Sequence, residues 1–443
     1  LNQRQCPALY KALHTLHINA QGSVEIDNPD LPIIDYMLEM QRFDADCEFA
    51  AMAKTGKLTA SHIQALAKHL AHFHHSLPAV TQFDSDKRTA DWARESFDEI
   101  AQHNDFQELP SAYHTSLTVW REQLLKRFQD WQTIRNQRRA QGYVRECHGD
   151  LHLGNIVVWQ DQVLGFDALE FSRPLRTIDV IQDAAFVFMD LYAYDLAPMA
   201  WEFINTYLEE TGDYKVMPLL LMYAAYKALV RAKVALLSHQ PSDFERYWRT
   251  LQNLMHQVSI TEASTVKLIL MLGLSGSGKS VAARLISQQI AAVRLRSDAE
   301  RKRLHREGQL VDEQGEPVAL YSKQASTLTN QRMDALSVYL MQQGFSLVLD
   351  TVSPFQGRRE FIRQLALERQ ANFYVVRVHA SEQRLIERLE KRAAEGLDIS
   401  DATKEVMLEQ KQIMQDLPTE WQEFSFTLNN EGSLAQLAQQ VSL

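Results

Sequence analysis

The stretch "MLGLSGSGKSVAARL", residues 271–285, closes an apolar run and opens a segment with helical spacing. Gly273 and Gly278 frame four residues and are followed at once by Lys279 and Ser280, the GxxxxGK[ST] pattern of a P-loop. A strand ending at Gly273, a glycine-rich turn and a helix starting at Lys279 gather backbone N–H groups at a helix N-terminus, an arrangement suited to a polyphosphate. On this reading Gly273, Ser275, Gly276, Ser277 and Gly278 cradle the phosphates of ATP, Lys279 reaches the outer ones, and Ser280 offers its hydroxyl to a magnesium ion. A chance glycine turn is the weaker reading, because strand, glycines, Lys-Ser pair and helix occur in the required order.

Downstream, short apolar runs alternate with Arg- and Gln-rich amphipathic segments. "VKLILMLG", "AAVRLRS", "FSLVLDT", "NFYVVRVHA" and "FSFTLNN" read as strands. Strands alternating with helices predict an α/β domain with a parallel sheet over residues 266–443. Asp298, in "RLRSDAERKRLHREG", falls at a strand's carboxyl end, where open parallel sheets bind ligands, and Arg301 lies one helical turn beyond it. A carboxylate there can take the proton of an acceptor hydroxyl, with Arg301 holding an anionic handle of the acceptor. The bland alternative is a helix cap followed by a solvated basic face. Asp350 ends the third strand in "LVLDT", a place from which a carboxylate orients a magnesium shell. Arg384, Arg388 and Arg392, four residues apart in "SEQRLIERLEKRAAEG", share a helix face and either close over a transferring phosphoryl group or pair with neighbouring Glu residues.

Upstream, residues 1–258 read as mainly helical. "GKLTASHIQALAKHLAHFHHSLP" (56–78) carries a Thr59 or Ser61 cap, apolar residues at helical spacing and a stop at Pro78. Residues 91–141, 176–211 and 218–258 repeat that character. "NIVVW" and "VLGFDA" predict two short strands around a turn, and the polar "QVSITEAST" (257–265) contains the expected linker, residues 259–265.

The hairpin carries a second phrase, "CHGDLHLGNIVVW" (147–159). Asp150 stands five residues before Asn155, and Asp167 comes after the next strand. A base for the hydroxyl proton, an amide oxygen for one magnesium and an aspartate bridging metal to phosphate occur in that order in kinase-like phosphotransferases.

Bulk composition bounds the alternatives. At 443 residues the chain has room for two or three domains, and 45% hydrophobic with 23% charged residues is ordinary globular material. A net charge of −10 argues against coating nucleic acid by bulk electrostatics, leaving a nucleic-acid end as the only such acceptor in view. Cys6, Cys47 and Cys147 are scattered, without zinc or disulfide spacing, so a reducing cytoplasm is the expected setting. The most apolar stretch, 217–237, is broken by Lys227, Arg231 and Lys233 and reads as a buried helix, so no membrane is expected as a partner. His69, His72, His74 and His75 in "HLAHFHH" lack a Cys or carboxylate partner in the phrase, and "RNQRRAQGYVR" (135–145) reads as a solvated helix end.

Residues 266–443 resemble small P-loop kinases of the polynucleotide kinase, zeta toxin and chloramphenicol phosphotransferase type, through "GLSGSGKS", "RSDAERKRL", "VLDT" and "ERLEKR". That resemblance implies Asp298 as general base, Arg301 as acceptor-phosphate ligand, and Arg392 or Arg388 as lid arginine. "HGDLHLGN" resembles the aminoglycoside phosphotransferases and their fructosamine and choline kinase relatives, although "GFDA" stands where that family has an aromatic after the aspartate. It implies that Asp179 and Asp183 support the catalytic loop. "SVEIDN" and "PIIDYMLEMQRF" are similar to small-lobe strands. No early lysine, Lys11 included, has the setting of a kinase strand lysine, and the chain opens on Leu1, so part of the small lobe is expected to be missing. The combined order resembles a group of bifunctional aminoglycoside phosphotransferase/ATP-binding proteins. Together these readings predict ATP-dependent transfer of the γ-phosphoryl group to a hydroxyl, mainly in the P-loop domain. The alternative is an ATP-hydrolysing switch with a ligand-sensing upstream domain.

Overall fold

The computed structural model describes residues 2–83, 85–259, 266–395 and 403–441. The expected linker therefore lies, apart from Ser259, outside the described residues. The chain forms two compact units, one of Leu1–Leu196 with Met222–Met255, the other of Ala197–Leu221 with His256–Leu443.

The first unit begins with a three-stranded antiparallel sheet in the order β2-β1-β3, built from β1 (Tyr10–Ile18), β2 (Val24–Ile26) and β3 (Ile33–Met40). The last two match the expected small-lobe strands. β1 is new relative to the sequence: "YKALHTLHI" dilutes its alternation with Ala and His, and its identity comes from pairing on both edges. Helices dominate the rest of the unit. In Ala60–Ser76 the Thr59 hydroxyl accepts from the His62 N–H while His62 accepts from the Thr59 N–H, a reciprocal cap. Ile63, Leu66, Ala67, Leu70 and Phe73 form its buried face.

Two short antiparallel pairs flank and contain the phrase at residues 147–159. β4 (Val144–Glu146) pairs with β7 (Thr177–Asp179), and β5 (Ile156–Trp159) with β6 (Gln162–Gly165). Asp179 thus stands on a strand, although helical periodicity runs through residues 176–211. The hairpin packs Val157 and Leu164 against Cys6, Leu9 and Tyr10.

The second unit is a five-stranded, all-parallel sheet in the order β12-β11-β8-β10-β9. Its strands are β8 (Lys267–Leu272), β9 (Val293–Arg296), β10 (Leu347–Asp350), β11 (Asn372–His379) and β12 (Ser425–Asn429), each on one of the five apolar runs. The helix Lys279–Gln289 buries Ala282, Ala283 and Ile286 against Ile269, Met271, Val348 and Val376. Each fully buried Ile, Val or Met there contributes about 1.5–3 kcal/mol.

The helix Ala197–Thr211 belongs to this unit. Its Asn205 donates to the Ala292 carbonyl at 3.0 Å and accepts from the Arg294 N–H at 2.7 Å, and its Glu209 pairs with Arg294 at 2.8 Å. Among the described residues no helix is long and apolar enough to cross a membrane, and the three cysteines are free thiols.

Candidate active site

The P-loop occupies the junction of β8 and the helix Lys279–Gln289. Gly276 and Gly278 adopt φ of +84° and +85°, the left-handed region open mainly to glycine, which turns successive N–H groups inward. A Cβ on Gly278 would also run into the Asn430 amide, and one on Gly276 would sit 2.9 Å from the Leu385 carbonyl. Asn430, just past β12, donates to the Ser277 carbonyl at 2.8 Å, so the loop is braced from the far edge of the sheet.

The Lys279 ammonium pairs with Asp350 at the end of β10, and Arg296 approaches the other oxygen of that carboxylate at 3.4 Å. Burial raises the Asp350 pKa, but the Lys279 and Arg296 charges and hydrogen bonds from Lys279 and Ser280 outweigh it and hold the group at about 2. Arg296 in turn pairs with Glu209 at 3.2 Å.

A cavity of about 220 Å³ over the loop is lined by Leu274, Ser275, Gly276 and the run from Gly278 to Val281, together with Asp298, Val352 and Arg388. Residues singled out on three separate segments therefore meet there: Lys279 with Ser280, Asp298, and Arg388. Asp298 pairs with Arg301 at 3.3 Å, and the Arg301 guanidinium also lies 5.6 Å from the centre of the Tyr321 ring. Arg388 donates to the Asn430 carbonyl at 2.8 Å and contacts the Gly276 and Ser277 carbonyls at 3.5 Å. Burial and then the like charge of Arg384 push its pKa below the ordinary value, with Glu431 and Glu387 only partly opposing. Arg384 pairs instead with Glu387 on the exposed helix surface. Arg392 lies on the same helix, Glu382–Glu395, but its side chain falls outside the described residues.

The donor set suits ATP and magnesium. Inside the loop the buried Ser277 hydroxyl has no hydrogen-bond partner, and the glycines let the loop pack so closely on Val378, Leu385 and Asn430 that no Cβ would fit. Two donors are already engaged: the Ser275 N–H and hydroxyl both donate to Gln410 Oε1, at 2.9 and 3.0 Å.

The upstream loop is built the opposite way. Buried Asp183 accepts the His148 and Gly149 N–H groups at 2.8 Å each, and Asp190 accepts the Leu153 N–H at 2.8 Å. The Lys227 ammonium donates to the Gly149 carbonyl at 3.0 Å and faces the Phe186 ring at 4.7 Å. Burial lowers its pKa, opposed by the Asp150 and Asp183 charges. Asn155 donates to the Asp150 carbonyl at 3.0 Å, its amide nitrogen standing 3.5 Å from the Asp150 carboxylate. Asp167, at φ +59°, has its N–H bound by the Tyr10 hydroxyl at 2.9 Å. Among the described residues the early lysine Lys11 forms an exposed pair with Glu39.

The fold corrects two expectations. Of the four histidines in "HLAHFHH", His74 does have Cys and carboxylate neighbours, Cys147 and Asp183, because the helix face buries it against the upstream loop. Burial raises the Cys147 thiol well above its ordinary pKa, and Asp183 is engaged with loop amides, so the trio reads as hydrogen-bonded core. The basic stretch 135–145 is not a solvated helix end. Arg138 forms a buried two-point pair with Asp179, at 2.6 and 2.9 Å, and Arg135 is buried against the Phe128 carbonyl.

Fold and loop together define the second unit as an α/β P-loop domain and the first as a mainly helical unit that opens with a small antiparallel sheet. Residues 268–417 match the family described as an AAA domain. Uncharacterized proteins of Mycobacterium bovis and Mycobacterium tuberculosis are 26% identical over 390 residues, spanning 87% of this chain and 77% of theirs. Among solved structures, the chain is similar to a gluconokinase from Sinorhizobium meliloti (16% identity, 40% of this chain and 90% of that one, TM-score 0.30). It is also similar to the APS kinase of Mycobacterium tuberculosis (20% identity, 40% and 95%, TM-score 0.29). A choline/ethanolamine kinase family protein from Mesorhizobium loti is similar at 14% identity, over 58% and 81%, with a TM-score of 0.35.

Proposed function

We propose that the protein is an ATP-dependent phosphotransferase whose chemistry runs mainly in the P-loop unit. The observation that carries this reading is the cavity shared by Lys279, Ser280, Asp298 and Arg388. The loop amides and Lys279 bind the phosphates, and Ser280 and Asp350 are the residues to hold magnesium, which when bound screens the phosphate charge. Asp298 accepts the proton of the acceptor hydroxyl as that oxygen bonds to the γ-phosphorus and ADP leaves. Arg301 orients Asp298 and serves the acceptor only by giving up that pair. Arg388 and Arg392 neutralise charge developing on the transferred group. A transition state with charge spread over three oxygens needs such cations, and among the described residues Arg388 meets carbonyl and amide oxygens.

The upstream loop holds a different set of residues suited to a second site: Asp150 as base, with Asn155 and Asp167 as metal ligands.

The test is magnesium-dependent ADP release over 5′-hydroxyl oligonucleotides, nucleosides, nucleotide sugars, aminoglycosides and simple sugars. Wild type is run beside Lys279→Ala and Asp150→Ala. Acceptor-dependent release abolished by Lys279→Ala alone is the expected result. Loss with Asp150→Ala alone would move the chemistry upstream, and steady ATP hydrolysis indifferent to every acceptor would favour a switch.

A further inference from the structure

A second cavity of about 220 Å³ opens beside the first, touching the loop at Gly273 and Leu274 and lined on its other side by Arg359, Arg377, His379 and Lys411. Arg377 and His379 are two residues apart on β11 and so project to the same face of the sheet.

The charges here are unevenly compensated. Lys411 is neutralised by Glu382 at 2.6 Å. Arg359, only 1% exposed, spends its donors on neutral atoms: the carbonyls of Ser353 (2.7 Å), Pro354 (3.1 Å), Gln415 (2.8 Å) and Asp416 (3.4 Å), and the Met414 sulfur (3.0 Å). Burial and then the like charge of Arg377 push its pKa down, the Asp416 carboxylate offsetting only part. Arg377 is exposed and forms no ion pair among the described residues. A buried guanidinium satisfied only by neutral groups, with a second cation unpaired at the mouth, is a field that an anion relieves.

We propose that this cavity is an oxyanion subsite that holds a phosphate or carboxylate group of the acceptor, with Arg377 as its direct ligand and Arg359 as the buried charge behind it. The assignment to an acceptor rests on the phosphotransferase reading above; the anion site itself does not. It makes the acceptor a hydroxyl-bearing anion and relieves Arg301, already committed to Asp298, of that task.

The experiment is calorimetric titration of the full chain with inorganic phosphate and, separately, with acetate, in wild type, Arg377→Gln and Lys279→Met. Arg377 is at the surface, so its replacement leaves the fold intact. The expected result is phosphate or acetate binding that survives Lys279→Met and weakens about tenfold or more in Arg377→Gln, the loss of one charge-assisted contact, while ATP affinity in Arg377→Gln stays within about twofold. The stronger of the two arms tells a phosphomonoester pocket from a carboxylate pocket. Equal binding in wild type and Arg377→Gln, or binding lost only in Lys279→Met, would overturn the subsite. In the acceptor panel, Arg377→Gln is expected to raise KM about tenfold with kcat little changed, and turnover confined to uncharged acceptors would overturn the acceptor assignment. Failure of every acceptor alongside intact Arg377-dependent phosphate binding would instead sink the phosphotransferase reading and leave the anion site standing.

Discussion

The two loops are charged in opposite senses. The P-loop turns N–H groups and the cations Lys279 and Arg388 toward its cavity and keeps its stabilising carboxylate, Asp350, behind them. The upstream loop anchors its backbone on the buried carboxylates Asp183 and Asp190 and carries Asp150 and Asp167 in its own strand-flanking turns. The first is arranged to receive an anion. The second offers acceptor oxygens to a cation. Phosphate chemistry can be organised from either end, by holding the phosphate or by holding its metal, and on the function proposed above each loop carries the residues for one of the two.

The sharpest way to break that comparison is to remove the cation from the first loop. Lys279→Met is expected to lower P-loop turnover by roughly 10²–10³-fold, the size seen when one preorganised charge is deleted. Asp150→Ala should leave the same rate within about twofold. Comparable losses in both variants, measured as kcat/KM for acceptor-dependent ADP release, would mean that the two loops serve one reaction.

Removing the inner anion of the second loop should act on stability. Asp183→Ala strands two loop amides and the His74 ring in a buried setting and is expected to cost about 3–5 kcal/mol. Urea unfolding followed through the first unit checks it, and nucleotide affinity at the P-loop should be unaffected.

Acid should reveal the buried anion of the first loop. Asp350 is held at about 2 against an ordinary 3.8, so the folded state binds fewer protons there than the unfolded chain. Its contribution, about 2 kcal/mol, is complete above the unfolded value and disappears as the pH falls through 3.8 toward 2. Asp350→Asn should flatten that part of the stability-against-pH curve for the second unit. An unchanged slope would show that the Asp350 pKa is not depressed in the folded protein.

These tests also mark where local sequence stops being informative. All five parallel strands and the P-loop are legible from periodicity and spacing, because each is specified within a dozen consecutive residues. The brace Asn430, the plug Gln410 and the pair Arg296–Glu209 are not, since they reach the site from segments joined to it only by folding. Asn430 does leave a signal: it sits just beyond the last strand at its carboxyl end, where open parallel sheets place ligand contacts. In the sequence Lys227 is a charge interrupting an apolar helix, whereas in the fold its ammonium turns to the Gly149 carbonyl. Arg138 looks solvated for the same reason, its partner Asp179 lying 41 residues away.

Gln410 supplies the smallest and most discriminating prediction. Its carbonyl oxygen accepts the Ser275 N–H and hydroxyl, donors that a bound phosphate would otherwise take. ATP must then exchange one neutral hydrogen-bond acceptor for another of higher charge, and the side chain acts as a competitor worth about 0.5–1.5 kcal/mol. Gln410→Ala should therefore tighten ATP binding roughly two- to tenfold, read by calorimetry, with no change in the affinity of the upstream loop for magnesium. Weaker ATP binding in that variant would mean that Gln410 shapes the nest for phosphate instead of occupying it, and the helix Lys404–Ile413 would then belong to the binding site itself.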